Sequence, residues 1–142
     1  MLEAPPATCV KANFDGAVFS QDGLAGIGFI IRNEQGLVMA ALSQQISLPI
    51  LVEMVEVVAA HRALVFAKEL GFDEVIMEGD FASTITSING GHMDHLALGH
   101  ILLDIKCLFP SSSYISVKHI NREGNCVAHK LARQAARFPF LV

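Results

Sequence analysis

The chain has 142 residues, 52% of them hydrophobic and 17% charged, with a formal net charge of −4. That is enough apolar material for one compact domain with a sizeable core. No apolar run is long enough to span a bilayer, no secretory signal pattern opens the chain, and the overall acidity argues on its face against nucleic acid.

The charge is unevenly spread. Residues 1–110 hold 5 Lys/Arg against 13 Asp/Glu, a balance of −8, whereas residues 111–142 hold 5 Lys/Arg against 1 Asp/Glu, a balance of +4. A solvated helix face is the plain reading of a basic tail. An acidic body with a basic edge also suits an enzyme that holds metal ions in one place and phosphates in another. Cys9, Cys107 and Cys126 are widely spaced, odd in number and without zinc spacing. They read as reduced core or half-buried thiols of an intracellular protein.

Residues 1–9 are expected to be a short leader or linker. A first strand is expected over 10–19, where Val10, Ala12 and Phe14 alternate with Lys11, Asn13 and Asp15. Asp15-Gly16 has hairpin-turn composition, but Gln21-Asp22-Gly23 makes a better turn. If the turn is there, Asp15-Gly16 sits inside the strand, where a glycine admits a bulge or close backbone approach. A second strand follows over 24–32, a turn over 33–36 and a third strand over 37–43. Gly23, Gly26 and Gly28 superficially suggest a dinucleotide loop, which needs a strand before it and a helix after it. Here a strand follows, so these glycines are assigned to sheet packing.

A helix is expected over 51–70, entered after Pro49 and ended by Gly71. On a helical projection Glu56 lies amid a face of Val52, Ala59, Ala60, Ala63, Leu64, Ala67 and Leu70. The helix dipole and water could account for one such acid. A strand over 74–78 follows, closed by Gly79-Asp80. This strand–helix–strand crossover implies parallel pairing with the first strand, which puts Asp80 where open α/β sheets place their ligands.

Helices are expected over 81–89 and 95–109, the second N-capped by Asp94. A fifth strand is expected over 114–120, a turn over 121–125, and a last helix over 126–137. Asn125 would cap that helix, and Val127, Leu131, Ala135 and Phe138 would be its apolar contacts. Residues 10–138 then make one domain and 139–142 a tail. The order βββαβα(α)βα gives an α/β fold: a five-stranded mixed sheet, three strands antiparallel and two parallel, with helices on both faces. His92, His95 and His100 read as a solvated loop and helix face, and Met54, Met77 and Met93 as core filling.

Asp15, Glu56 and Asp80 can converge if the first and fourth strands are neighbours crossed by the first helix. Clustered carboxylates raise each other's pKa unless cations intervene, and hard oxygen ligands select Mg²⁺ or Mn²⁺. Two such ions roughly 4 Å apart can support phosphodiester cleavage.

At this point the chain resembles a known family, the ribonuclease H-like superfamily, in particular the plant-type, retroelement-related type-1 domains. The matching stretches are Phe14-Asp15-Gly16-Ala17, Glu56 ahead of Ala-Ala-His-Arg-Ala-Leu, Glu78-Gly79-Asp80, and the run from Arg122 to Ala132. The resemblance implies a two-metal endonuclease that cuts the RNA strand of RNA–DNA hybrids. A monomer acting away from membranes is expected. It implies Asp15, Glu56 and Asp80 as metal ligands, with Glu56 nearest the scissile strand, and Gly16 and Ala17 as backbone contacts to the minor groove. Lys118, Arg122, Lys130 and Arg133 are candidate phosphate contacts. Well-studied members have a fourth Asp where this chain has His129, which is read equally as a catalytic-site residue or an exposed side chain. They also often carry a mobile His in the preceding loop, where this chain has Arg122. His119 is the nearest His. No Lys or Arg falls between Lys68 and Lys106, so hybrid binding should be weak and salt-sensitive. Two alternatives stay open. One is a degenerate module that binds nucleic acid or protein without cutting. The other is a related 3′–5′ exonuclease, which would need more acids near the last helix than Glu123.

Overall fold

The computed structural model describes residues 9–49, 52–80, 107, 114–138 and 140–141. Along the chain come strands β1 (Cys9–Phe19), β2 (Leu24–Arg32) and β3 (Val38–Ser47), and then helix α1 (Glu53–Glu69). Strands β4 (Glu74–Gly79) and β5 (Tyr114–His119), helix α2 (Cys126–Gln134) and the short strand β6 (Phe140–Leu141) follow. The spatial order is β5-β4-β1-β2-β3-β6. The expected five-stranded mixed sheet is present: β1, β2 and β3 pair antiparallel, and β1, β4 and β5 pair parallel. β6 adds two residues to the outer edge of β3. The helices expected over 81–89 and 95–109, with His92, His95, His100 and Met93, lie outside the described residues.

Asp15-Gly16 is inside β1, paired with Gly28 and Ile27, and the chain reverses at the 3-10 turn Ser20–Asp22 and Gly23. Alternation then divides β1 between two layers. Val10, Ala12 and Phe14 enter the main core, built on Ala59, Ala60, Ala63, Leu64 and Ala67 of α1. Phe29 of β2 meets Phe66 of α1 edge-to-face, with ring centroids 5.1 Å apart. Val52 and Leu70, expected on that face, flank the helix ends and are exposed; Val55 and Val57 are buried in their stead. Gly71 follows α1 with φ 89°, the left-handed conformation that ends a helix.

α2 covers the other face of the sheet. Of the expected contacts, Ala135 is buried and Leu131 is half-buried with its Cβ over Gly28, whereas Val127 and Phe138 are exposed; Ala128 and Ala132 are buried in their stead. The cause is in β2. A side chain on Gly26 or Gly28 would run into the backbone of α2 at Ala132. The helix lies so close that its fully buried positions over the sheet, Ala128, Ala132 and Ala135, are all alanine. Ser43 and Gln45 of β3 donate side-chain hydrogen bonds to the Leu131 and Ala135 carbonyls near the end of α2. This explains why β3 continues through a polar stretch, four residues past its expected end at Ser43. Cys9 is half-buried, but Cys107 and Cys126 are exposed, and all three are free thiols. Among the described residues no helix is long and apolar enough to cross a membrane.

Candidate active site

The pairing of β4 with β1 ends at Glu78 and Asn13, while β1 runs on to Phe19 paired only with β2. Beyond Asn13, one side of β1 is therefore open. Three acids meet in this opening. Asp15 comes from β1, Asp80 follows the last residue of β4, and Glu56 comes from the first turn of α1. One oxygen from each lies within 4.8 Å of the other two. A hollow of about 230 Å³ reaches Glu56 and Asp80, with Gly16, Val52, Val55 and Arg122 among its walls. Gly16 is needed for this approach, since a Cβ there would come within 2.5 Å of Val55 Cγ1.

Each acid has a distinct environment. Asp15 is buried; its Oδ1 accepts the Gly16 N–H at 2.9 Å, and its Oδ2 lies 2.8 Å from Nδ1 of His129. Glu56 is pushed up to about 10, first by burial, then by the charge of Asp15 and a hydrogen bond to it, then by Asp80; the Gly16 N–H opposes this. Asp80 is also raised, by burial and by Asp15, against the pull of Arg122 and His129. Nε of Arg122 donates to Asp80 Oδ2 at 2.9 Å. Three carboxyl groups this close cannot all ionise cheaply without a cation. The donor set is all oxygen and acidic, which fits Mg²⁺ or Mn²⁺.

Asp15, Gly16, Glu56, Asp80, Arg122 and His129 are thus brought together. His129 touches Asp15 but stands outside the three-acid convergence. The Gly16 N–H is turned to the acids, and Ala17 is buried. Lys118 on β5 and Lys130 and Arg133 on α2 are exposed, and none makes an ion pair with the acids among the described residues. His119 is exposed at the end of β5. A larger hollow, about 500 Å³, opens near Lys11, Arg32, Glu34 and Glu78. It has no comparable convergence of acids, and Lys11 there pairs with Glu78 at 3.7 Å.

The supporting role of Asn125, with Asn13 as its partner, is not visible in the sequence, where Asn125 reads as a cap. Asn125 makes no side-chain cap on α2. Instead its buried amide donates to the Phe14 carbonyl at 2.8 Å and accepts from Asn13 Nδ2 at 3.2 Å. This pins the start of α2 to β1 beside Asp15. The available signal was spacing: Asn125 is four residues before His129, on the same helical face.

The family described as "Reverse transcriptase-like" matches residues 13–135. RNase H1 from the halophilic archaeon Halobacterium salinarum superposes with a TM-score of 0.84 at 25% identity, over 92% of this chain and 98% of that one. The N-terminal RNase H domain of a Mycobacterium tuberculosis protein gives 0.82 at 21% identity, over 93% and 96% of the two chains. LC11-RNase H1, isolated from compost by a metagenomic approach and solved in complex with an RNA/DNA hybrid, gives 0.77 at 23%, over 88% and 94%. No curated protein sequence matches the chain. With its fold, its order of elements and the span of the family match in agreement, the chain belongs to the reverse transcriptase-like family and carries a ribonuclease H-like domain.

Proposed function

We propose that this protein is an endonuclease that hydrolyses the RNA strand of RNA–DNA hybrids, with two Mg²⁺ or Mn²⁺ ions as cofactors. The observation that carries the proposal is the meeting of Asp15, Glu56 and Asp80, from three separate elements, with one oxygen of each within 4.8 Å of the others. The likeness to RNase H1 structures, one of them holding an RNA/DNA hybrid, supports the choice of substrate.

Bound there, divalent ions supply Lewis-acid stabilisation of the charge that builds on a phosphodiester during cleavage. The chain's own residues prepare the site. The Gly16 N–H and His129 hold Asp15 by one bond to each oxygen, and each oxygen keeps a lone pair for a cation. Burial and the neighbouring acids favour the protonated form of Glu56, and a cation held there would favour its release of that proton. Lys118, Lys130 and Arg133 offer exposed positive charge to a nucleic-acid backbone. A second reading, a module that binds without cutting, has His129 in its favour. An imidazole is a poorer partner for a hard cation than the oxygen it replaces. The test is Mg²⁺- or Mn²⁺-dependent cleavage of a labelled hybrid by the wild type and by Asp80→Asn, with hybrid binding followed alongside. Cleavage lost in the variant supports the enzyme; binding without cleavage in either supports the module.

A further inference from the structure

We propose that Arg122 and a divalent ion compete for the carboxylate of Asp80, and that the displaced guanidinium becomes the clamp on the phosphate to be cleaved. The inference rests on the reading of the acids as a metal site.

Four observations carry it. Nε of Arg122 donates to Oδ2 of Asp80 at 2.9 Å, and Asp80 is one of the three converging acids. The exposure of the pair is lopsided: the Arg122 side chain is 68% exposed and that of Asp80 only 6%. The arginine can therefore swing while the carboxylate stays. The backbone beneath Arg122 is tied at both ends. The Ile120 N–H donates to the Gly79 carbonyl at 2.8 Å, the Asn125 N–H to the Arg122 carbonyl at 3.1 Å, and the Asn125 side chain to Phe14. The guanidinium can move without taking the loop along. Finally, Arg122 lines the same hollow as Glu56 and Asp80, so a short swing leaves it at the mouth.

The electrostatics set the direction of the exchange. A guanidinium hydrogen-bonded to Asp80 repels a divalent cation arriving at that carboxylate. Once displaced, it needs an anion. A phosphodiester oxygen matches the planar fork of N–H groups that an arginine presents. The contact to Asp80 runs through Nε, so the terminal amino groups remain to donate elsewhere. Arg122 thus acts as a stand-in cation for the acids and as a positioning residue for substrate.

The test uses the full chain. Mn²⁺ affinity is measured by the resonance of free Mn²⁺ without nucleic acid, and hybrid affinity is measured in Ca²⁺ over a series of salt concentrations. Arg122→Ala should bind Mn²⁺ roughly two- to fivefold more tightly than wild type, as expected for losing one exposed ion pair. It should bind hybrid more weakly, with a salt slope shallower by about 0.9. Arg122→Lys keeps the charge without the fork, so it should hold Mn²⁺ affinity near wild type and still weaken hybrid binding. A merely structural Arg122 would lower Tm and leave both readouts alone. Unchanged or weaker Mn²⁺ binding in Arg122→Ala, or an unchanged salt slope, overturns the proposal. Asp80→Asn separates the two readings: if it still binds Mn²⁺ like wild type, the metal site itself is wrong; if it does not, the failure belongs to Arg122 alone.

Discussion

Nδ1 of His129 lies 2.8 Å from Oδ2 of Asp15, so the last helix of the domain buttresses an acid on the first strand. The contact makes His129 a holder of Asp15 and keeps it out of the three-acid convergence. Replacing it with Asp adds a fourth carboxylate. His129→Asp should therefore lower the Mg²⁺ concentration for half-maximal cleavage about tenfold, the lower end of what changes around a metal site produce. It should also lower the Tm without a divalent ion, because one more acid joins the cluster. A metal titration of cleavage and a melting curve in chelator check both.

Asn125 is buried and serves both β1 and Asn13. Asn125→Ala would take the side-chain donor from the Phe14 carbonyl inside the protein, while the Asn13 amide keeps Glu78 as a partner at 3.2 Å. At about 1–3 kcal/mol for an unpaired buried group, the loss should be about 1–3 kcal/mol. Urea denaturation measures it. Cleavage should fall as well, because α2 then no longer holds His129 against Asp15.

A glycine under a helix and a glycine in an open turn differ in how they tolerate a methyl group. Gly28→Ala would drive a Cβ into the backbone of α2 and should cost about 3 kcal/mol, at the upper end of overpacking penalties. Gly71→Ala meets nothing within 4 Å, but φ is 89°. It should cost only about 1–2 kcal/mol of backbone strain. Equal losses in the two variants would contradict the close packing of α2 on β2.

The acid cluster makes stability depend on pH in a direction that a cation reverses. Glu56 is pushed up to about 10 by burial and its acidic neighbours, and Asp80 is raised too. The folded chain therefore binds more protons than the unfolded chain between the ordinary carboxylate range and about 10. In that window stability falls as pH rises, by at most about 1.4 kcal/mol per pH unit for each proton involved. Below the ordinary carboxylate range this contribution is fully present. Melting in chelator from pH 5 to pH 9 should show the decline, and Mg²⁺ should flatten or invert it. Glu56→Gln should remove most of the slope.

Much of this was legible in the chain. The alternation of Val10, Ala12 and Phe14 and the glycine after α1 placed β1 and the crossover, and the crossover placed Asp15, Glu56 and Asp80 on elements that could meet. What stayed hidden depends on contacts between distant elements. The buried face of α2 follows from the missing side chains of Gly26 and Gly28, which periodicity within α2 does not reveal. The polar end of β3 is a strand because Ser43 and Gln45 serve the carbonyls of α2. Asn125 looked like a cap because a helix starts after it, and only the neighbouring strand shows what its amide is for. Arg122 read as a phosphate contact; its bond to Asp80 needed the loop after β5 to be placed over the end of β4.

The proposed function requires three carboxyl groups to form a divalent-ion site that cuts RNA paired with DNA. The most direct measurement is cleavage of a strand-labelled hybrid in Mg²⁺ and in Mn²⁺ by the wild type, Asp15→Asn, Glu56→Gln and Asp80→Asn, each shown to be folded. The wild type should make internal cuts in the RNA strand only, lost on chelation and reduced at least about a hundredfold in every variant. Wild-type activity in any one folded variant, or cleavage that survives chelation, would contradict it.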